Sequence, residues 1–153
     1  MLGKLSRWLL ILGQDIQYSN KLDDDKLILI AEREKRIILT KDMELYHRAV
    51  ARGIDAFYIR GSTESAKLAE LARQFNFSLD IDLKRTRCPK CNTRISPIRK
   101  EEIANKIEKK TYTYYNKFWK CPKCNHVYWQ GAHWSQIHAT LEKAKKLRSI
   151  LLL

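Results

Sequence analysis

The sequence has no apolar run long enough to cross a membrane. Its longest, Trp8 to Leu12 and Leu27 to Ala31, fall far short of the roughly 20 residues a spanning helix needs. A charged start followed by an apolar stretch and a small-residue cleavage site is also missing, so no export route is indicated and a cytoplasmic protein is expected. No fifth cysteine stands beside Cys88, Cys91, Cys121 and Cys124, and there is no low-complexity linker and no repeat beyond two short cysteine motifs. Acid is nearly absent from one half: beyond Asp82, only Glu101, Glu102, Glu108 and Glu142 stand against 17 Lys and Arg. Residues 1–82 hold 13 residues of each sign, so the formal charge of +13 at pH 7 belongs entirely to residues 83–153. A compact fold with such an excess repels itself, and a polyanion that releases counterions offsets it. Nucleic acid is therefore the expected partner, ahead of a merely solubilising basic surface or an anionic membrane, for which the basic residues lack a broad amphipathic face.

What is present fits a globular protein of 153 residues with 44% hydrophobic content, long enough to bury a core. In the first half, Leu2, Leu5, Leu9 and Leu12 recur at helical spacing and stop at Gly13, a residue suited to a helix C-terminus. A short strand is expected around Ile16 to Tyr18. Asp23 to Asp25 offer an N-cap for the next helix, and Arg36 to Thr40 (RIILT) suits a buried parallel strand. A helix from about Met43 to Arg52, a strand from Ile54 to Ile59, a helix from Glu64 to Gln74 and an extended piece near Phe77 to Ile81 continue the series. Alternation with short connections predicts an α/β fold with a parallel sheet covered on both faces. At Lys84 the character changes to a basic module that closes with a helix from Trp134 to Leu151, its apolar side formed by Trp134, Ile137, Leu141, Ala144, Ile150 and Leu151.

The cysteines occur as Cys-Pro-Lys-Cys, 29 residues, then Cys-Pro-Lys-Cys again. Two residues between cysteines let both sulfurs of a tight turn face one ion, and two such turns complete a tetrahedral site. Cys88, Cys91, Cys121 and Cys124 are thus expected to hold structural Zn²⁺. Four thiolates also suit iron, and a disulfide or redox pair fits neither the compartment nor the context. His126 and His133 adjoin the second motif as substitute ligands or RNA-facing groups. Between the motifs, Lys106, Lys109, Lys110, Lys117 and Lys120 interleave with Tyr112, Tyr114, Tyr115, Phe118 and Trp119. Cations neutralise phosphates and aromatic faces stack on unpaired bases; the same rings would equally serve a ribbon hairpin's own small core. Candidate RNA-binding residues are these lysines with Tyr112, Tyr114, Tyr115, Trp119 and His133.

Several motifs together resemble one family: MLGKLSRWLLILGQD at Met1 to Asp15, Asp24 and Asp25, RIILTKD at Arg36 to Asp42, RCPKCN at Arg87 to Asn92, and CPKCNHVYWQGAH at Cys121 to His133. In that order they are similar to the Mut-seven C-terminal RNase domains, PIN-like nuclease folds followed by a zinc ribbon. The resemblance implies a PIN-like α/β domain over residues 1–83 and, over residues 84–153, a zinc ribbon with the basic aromatic segment and the C-terminal helix. It also implies RNA cleavage by carboxylates holding Mg²⁺ or Mn²⁺, with Asp24 and Asp42 as the matching acids. Either acid also suits an ordinary helix cap. Lys41 stands where the family usually has arginine. The family's strand ending in an aspartate ahead of MLGKL has no counterpart here, so the expected sheet lacks its first strand and the expected acidic site one ligand. The reading is of an RNA-binding zinc-ribbon protein of PIN-like ribonuclease type, a metal-dependent endoribonuclease if the acidic site is complete and impaired in cleavage as written. Two explanations compete for the absent strand: a true start upstream of Met1, or a degenerate member that keeps RNA binding and has lost cleavage. The alternative is a non-catalytic component of a ribonucleoprotein particle such as the ribosome, bound to ribosomal RNA.

Overall fold

The computed structural model describes residues 2–151. Helix α1 (Gly3–Ile11) is followed by α2 (Asp24–Glu34), β1 (Ile38–Thr40), α3 (Met43–Ala51), β2 (Ala56–Tyr58) and α4 (Glu64–Phe75). The helix starts follow from side-chain chemistry. Asp23 accepts from the Lys26 N–H, Asp42 from the Glu44 and Leu45 N–H groups, and Thr63 from the Ala66 N–H, which satisfies donors that a helix's first turn cannot pair internally. The stops at Lys35 and Asn76 use left-handed backbone.

β1 and β2 pair in parallel, with Ile38 beside Ala56 and Leu39 beside Phe57. Alternation along the strands sends the first pair to a core with α2 and α3, built on Ile28, Ala31, Leu45 and Ala49. The second pair faces the larger core of Leu5, Leu9, Ile59, Leu68 and Leu71. Helices thus cover both faces. Leu141 and Ala144 of α6 (Trp134–Leu151) join this larger core. The helix is moored there by Ser65 Oγ donating to the Thr140 carbonyl at 3.2 Å, Arg148 donating to the Phe77 carbonyl at 3.0 Å, and a Lys145–Asp80 ion pair at 2.5 Å. Its last turn is not covered: Ile150 is 64% exposed and Leu151 46%.

Two expected strands do not form. Residues Ile16 to Tyr18 have no ladder partner; the Ile16 N–H instead donates to Asn92 Oδ1 at 3.3 Å, while its side chain packs on the larger core. The Phe77 to Ile81 piece buries Leu79 in that core as a turn, closed by the Asp80 N–H donating to Ser78 Oγ at 3.0 Å. Among the described residues the parallel sheet therefore has two strands. The Ile38 N–H and the Thr40 carbonyl bond towards β2, so Leu39 between them turns its N–H and C=O the other way. That open edge borders a groove of about 750 Å³, lined by Leu2, Leu9, Ile16, Leu27 and Phe75 among others.

The second half forms a three-stranded antiparallel sheet in the order β3 (Ser96–Ile98), β4 (Phe118–Lys120), β5 (Val127–Tyr128). Between β3 and β4 run a 3₁₀ turn (Lys100–Ile103) and the short helix α5 (Lys109–Tyr114). Ile103, Phe118 and Val127 make a small core here, with Ile98, Ile107 and Tyr115 packed on it. No helix among the described residues is long and apolar enough to cross a membrane.

Candidate metal centre and nucleic-acid interface

The two cysteine motifs share the sequence Cys-Pro-Lys-Cys-Asn and fold alike. The Cys88 N–H donates to the Thr93 carbonyl and the Asn92 N–H to the Cys88 carbonyl; the Cys121 N–H donates to the His126 carbonyl and the Asn125 N–H to the Cys121 carbonyl. Asn92 (φ 66°) and Asn125 (φ 62°) both occupy left-handed backbone, which asparagine tolerates better than most residues. Each turn thereby aims two sulfurs at a shared point.

All four sulfurs lie within 4.8 Å of one another. Cys88 and Cys124 Sγ are 3.6 Å apart and Cys91 and Cys121 Sγ 3.3 Å. A tetrahedral ion with bonds of about 2.3 Å would set sulfurs about 3.8 Å apart, whereas a disulfide needs about 2.05 Å. The residues therefore fit a metal ion such as zinc, whose closed tetrathiolate shell leaves no position for a substrate. The thiols are unequally prepared. The Thr93 hydroxyl and backbone beside Cys91 hold that thiol well below its ordinary value, while burial pushes Cys121 up. Metal binding displaces the remaining protons. The Tyr128 hydroxyl lies 2.9 Å from Cys88 Sγ, and burial, then this sulfur, raises its pKa above the ordinary phenol value. Trp119, 8% exposed, packs with Ile95 against Cys88 and Cys121.

The metal turns are fastened to the α/β part at the end of α1. Thr86 Oγ1 donates to the Ile11 carbonyl at 2.8 Å, satisfying an acceptor at the helix end. The Arg87 N–H donates at 2.9 Å to the Leu10 carbonyl, which also accepts from the Gly13 N–H at 3.0 Å. Gly13 (φ +87°) leaves room for Arg85, whose Cβ and carbonyl oxygen would lie 3.0 Å from any Cβ placed there. Asn92 Nδ2 donates to Asp15 Oδ1 at 2.6 Å, and Arg36 reaches the same oxygen at 3.1 Å. The Asn92 bond, opposed by partial burial and reinforced by Arg36, holds the Asp15 carboxyl below its ordinary value. Neither Thr86 nor Asn92 stands out in the sequence as a docking residue; the one signal is the asparagine repeated after each Cys-Pro-Lys-Cys.

Each of the two expected acids has a partner within the fold. Asp42 Oδ1 caps α3, accepting from the Glu44 N–H at 2.8 Å and the Leu45 N–H at 3.2 Å. Asp24 starts α2 next to its cap, Asp23, and faces Arg48 at 3.6 Å, a cation it shares with Asp25. Lys41 Nζ donates to the Gly61 carbonyl at 2.6 Å, tying the end of β1 to the loop after β2. Among the described residues, the cysteines are the one gathering of three or more potential metal ligands.

In the basic segment Lys106, Lys109, Lys110 and Lys117 are exposed, Lys120 is half-buried, and Tyr114 is 79% exposed. Tyr112 lies under Lys100, whose Nζ is 4.7 Å from the ring centre. Tyr115 belongs partly to the small core, so the rings of this segment divide between packing and solvent. His133 is exposed just before α6.

The family model described as the Mut7-C RNAse domain matches residues 1–141. No curated protein and no solved structure matches the chain.

Proposed function

The chain belongs to the Mut7-C RNAse domain family, and from that membership we propose that it is an RNA-binding protein of PIN-like ribonuclease type, with a structural Zn²⁺ on Cys88, Cys91, Cys121 and Cys124. The observation that carries the reading is the joining of a four-sulfur centre to a strongly basic segment within one half of a chain whose other half is neutral. Lys106, Lys109, Lys110, Lys117 and Lys120 neutralise phosphates, Tyr112, Tyr114 and Tyr115 offer ring faces, and His133 adds a donor at the edge. Trp119 serves instead as a wall of the metal module. The parallel pair β1–β2 with helices on both faces is the PIN-like part, and the passage between the two parts lies near Leu83.

Asp24 and Asp42 are the residual acids of the nuclease site, where Mg²⁺ or Mn²⁺, when bound, would activate water and stabilise the leaving oxygen. Their engagement with Arg48 and with the α3 N-terminus argues for weak ion binding, so residues 1–153 bind RNA and cut it poorly.

Two measurements test this. The intact protein should carry about one equivalent of zinc, and Cys121→Ser should release it; less than about half an equivalent in the intact protein refutes the metal centre. Labelled RNA incubated with residues 1–153 and Mn²⁺ should remain largely uncut. Robust cleavage that disappears in Asp42→Asn would show a complete acidic site and overturn the reading of weak catalysis.

A further inference from the structure

A second concavity, about 280 Å³, lies between the metal module and the start of α6. Its walls include Trp119, Trp129, Trp134, Pro89, Arg87 and His133. The chain folds back twice to build it: the Gly131 N–H donates to the Trp129 carbonyl and the Trp134 N–H to the Gly131 carbonyl, both at 3.1 Å. Two indoles five positions apart are thereby brought to one cleft. A Cβ at Gly131 would lie 3.3 Å from Trp129 Nε1, so the indole would have to shift by a few tenths of an ångström to admit one. Trp129 remains 38% exposed, so part of its indole is accessible.

Arg87 adds a charged side chain to the lining. Arg87 Nη1 is fixed by the Asn92 carbonyl at 2.9 Å, but its Nε is buried and has no hydrogen-bond partner among the described residues. That Nε is closed off from the cleft, but Arg87 as a whole is only half-buried and lines the cleft, so its side chain offers a cation to an acceptor-bearing group there. The volume lies below the range of roughly 300–1,000 Å³ usual for drug-sized ligands, on the scale of a single planar heterocycle. All of the lining except Ile11 comes from residues 83–153, the half of the chain with 17 Lys and Arg against four Glu, which favours a heterocycle flanked by phosphates.

We infer that this cleft receives one unpaired nucleobase of a bound RNA strand, stacked on the Trp129 and Trp134 indoles and presenting a carbonyl edge to Arg87. Guanine, whose O6 and N7 both accept, suits the guanidinium better than adenine does. The proposal rests on the RNA-binding reading and adds to it a site separate from the lysine-rich segment, which contacts phosphates.

The test uses the full metal-loaded chain and fluorescently labelled RNA hexamers: an adenosine hexamer with one central guanosine, the same strand with an abasic residue at that position, and the all-adenosine strand. The guanosine strand should bind at least about tenfold tighter than the abasic one, as expected for loss of one stacked base. Trp129→Ala should erase that difference and leave the salt dependence of binding unchanged; Arg87→Lys should erase the preference for guanosine over adenosine and keep the penalty for the abasic strand. Lys110→Ala should weaken all three strands alike. Equal affinity of the wild-type chain for the guanosine and abasic strands overturns the cleft assignment, needs no variant to fold, and leaves the RNA-binding reading standing. Failure to bind any of the three strands would instead overturn that reading, and the cleft with it.

Discussion

Two asparagines in the same backbone conformation, one docked and one free, allow the attachment of the metal module to be measured against an internal control. Asn92→Ala and Asn125→Ala each place alanine at a φ of 66° or 62°, a strain of about 1 kcal/mol for a residue without asparagine's tolerance of that region. Asn92 alone also loses its 2.6 Å bond to Asp15 and its 3.3 Å bond from the Ile16 N–H. A bond to a charged group contributes about 1.5–3 kcal/mol in favourable settings. The Asp15 side chain is 53% exposed, so solvent screening reduces this to roughly 1 kcal/mol, with about 0.5 kcal/mol more from the longer bond. The expected losses are thus about 2.5 kcal/mol for Asn92→Ala and about 1 kcal/mol for Asn125→Ala. Glycine separates the terms, because it occupies the left-handed region freely: Asn92→Gly should lose only the bonds, about 1.5 kcal/mol, and Asn125→Gly almost nothing. Urea unfolding of the metal-loaded proteins, followed by far-ultraviolet circular dichroism, gives all four values. Equal losses for the two alanine variants would show that the Asp15–Asn92 contact adds nothing and that the two parts of the chain are held by other means.

Acidity probes the same contact. A carboxyl held below its ordinary value of 3.8 in the folded state contributes stability that is present above that value and lost as pH falls through its folded-state value. Asp15→Asn should therefore lower the melting temperature at pH 6 and flatten its decline between about pH 5 and pH 2; parallel curves for the two proteins would refute the assignment. Leu141, 2% exposed where α6 meets the larger core, should cost about 2–5 kcal/mol when cut to alanine, whereas Ile150→Ala, at a 64% exposed site, should be nearly neutral. Urea midpoints that shift equally in the two variants would mean that α6 does not dock through Leu141.

Local rules made some of the molecule legible and left other parts hidden. Asp23, Asp42 and Thr63 begin helices because their side chains meet orphan donors within three residues, a relation that sequence spacing displays directly. The paired Cys-Pro-Lys-Cys motifs are equally local, and they do bring four sulfurs together. Ile16 to Tyr18 reads as a strand because extended composition says nothing of a partner, whereas the Ile16 N–H is met by an asparagine 76 positions away. The amphipathic face of α6 was visible, but not that Leu141 and Ala144 would cover α4 while Ile150 stayed in solvent. Interleaved lysines and aromatics were ambiguous for a similar reason, since Trp119 and Tyr114 read alike in sequence and differ from 8% to 79% in exposure. The concavity at Trp129 and Trp134 depends on how the chain doubles back at Gly131, a three-dimensional fact without a periodic signature.

The open edge of β1 sets conditions on how the protein can be handled. Leu39 offers one N–H and one C=O there, so an arriving strand gains two hydrogen bonds, each contributing about 0.5–1.5 kcal/mol net. That is too little to retain a polar segment against its loss of freedom. An apolar segment that also fills the adjoining trough gains far more, and the sequence contains such a segment in RIILT itself. Partly unfolded copies at high concentration should consequently pair edge to edge through this run, making it the first place where the chain coagulates on heating.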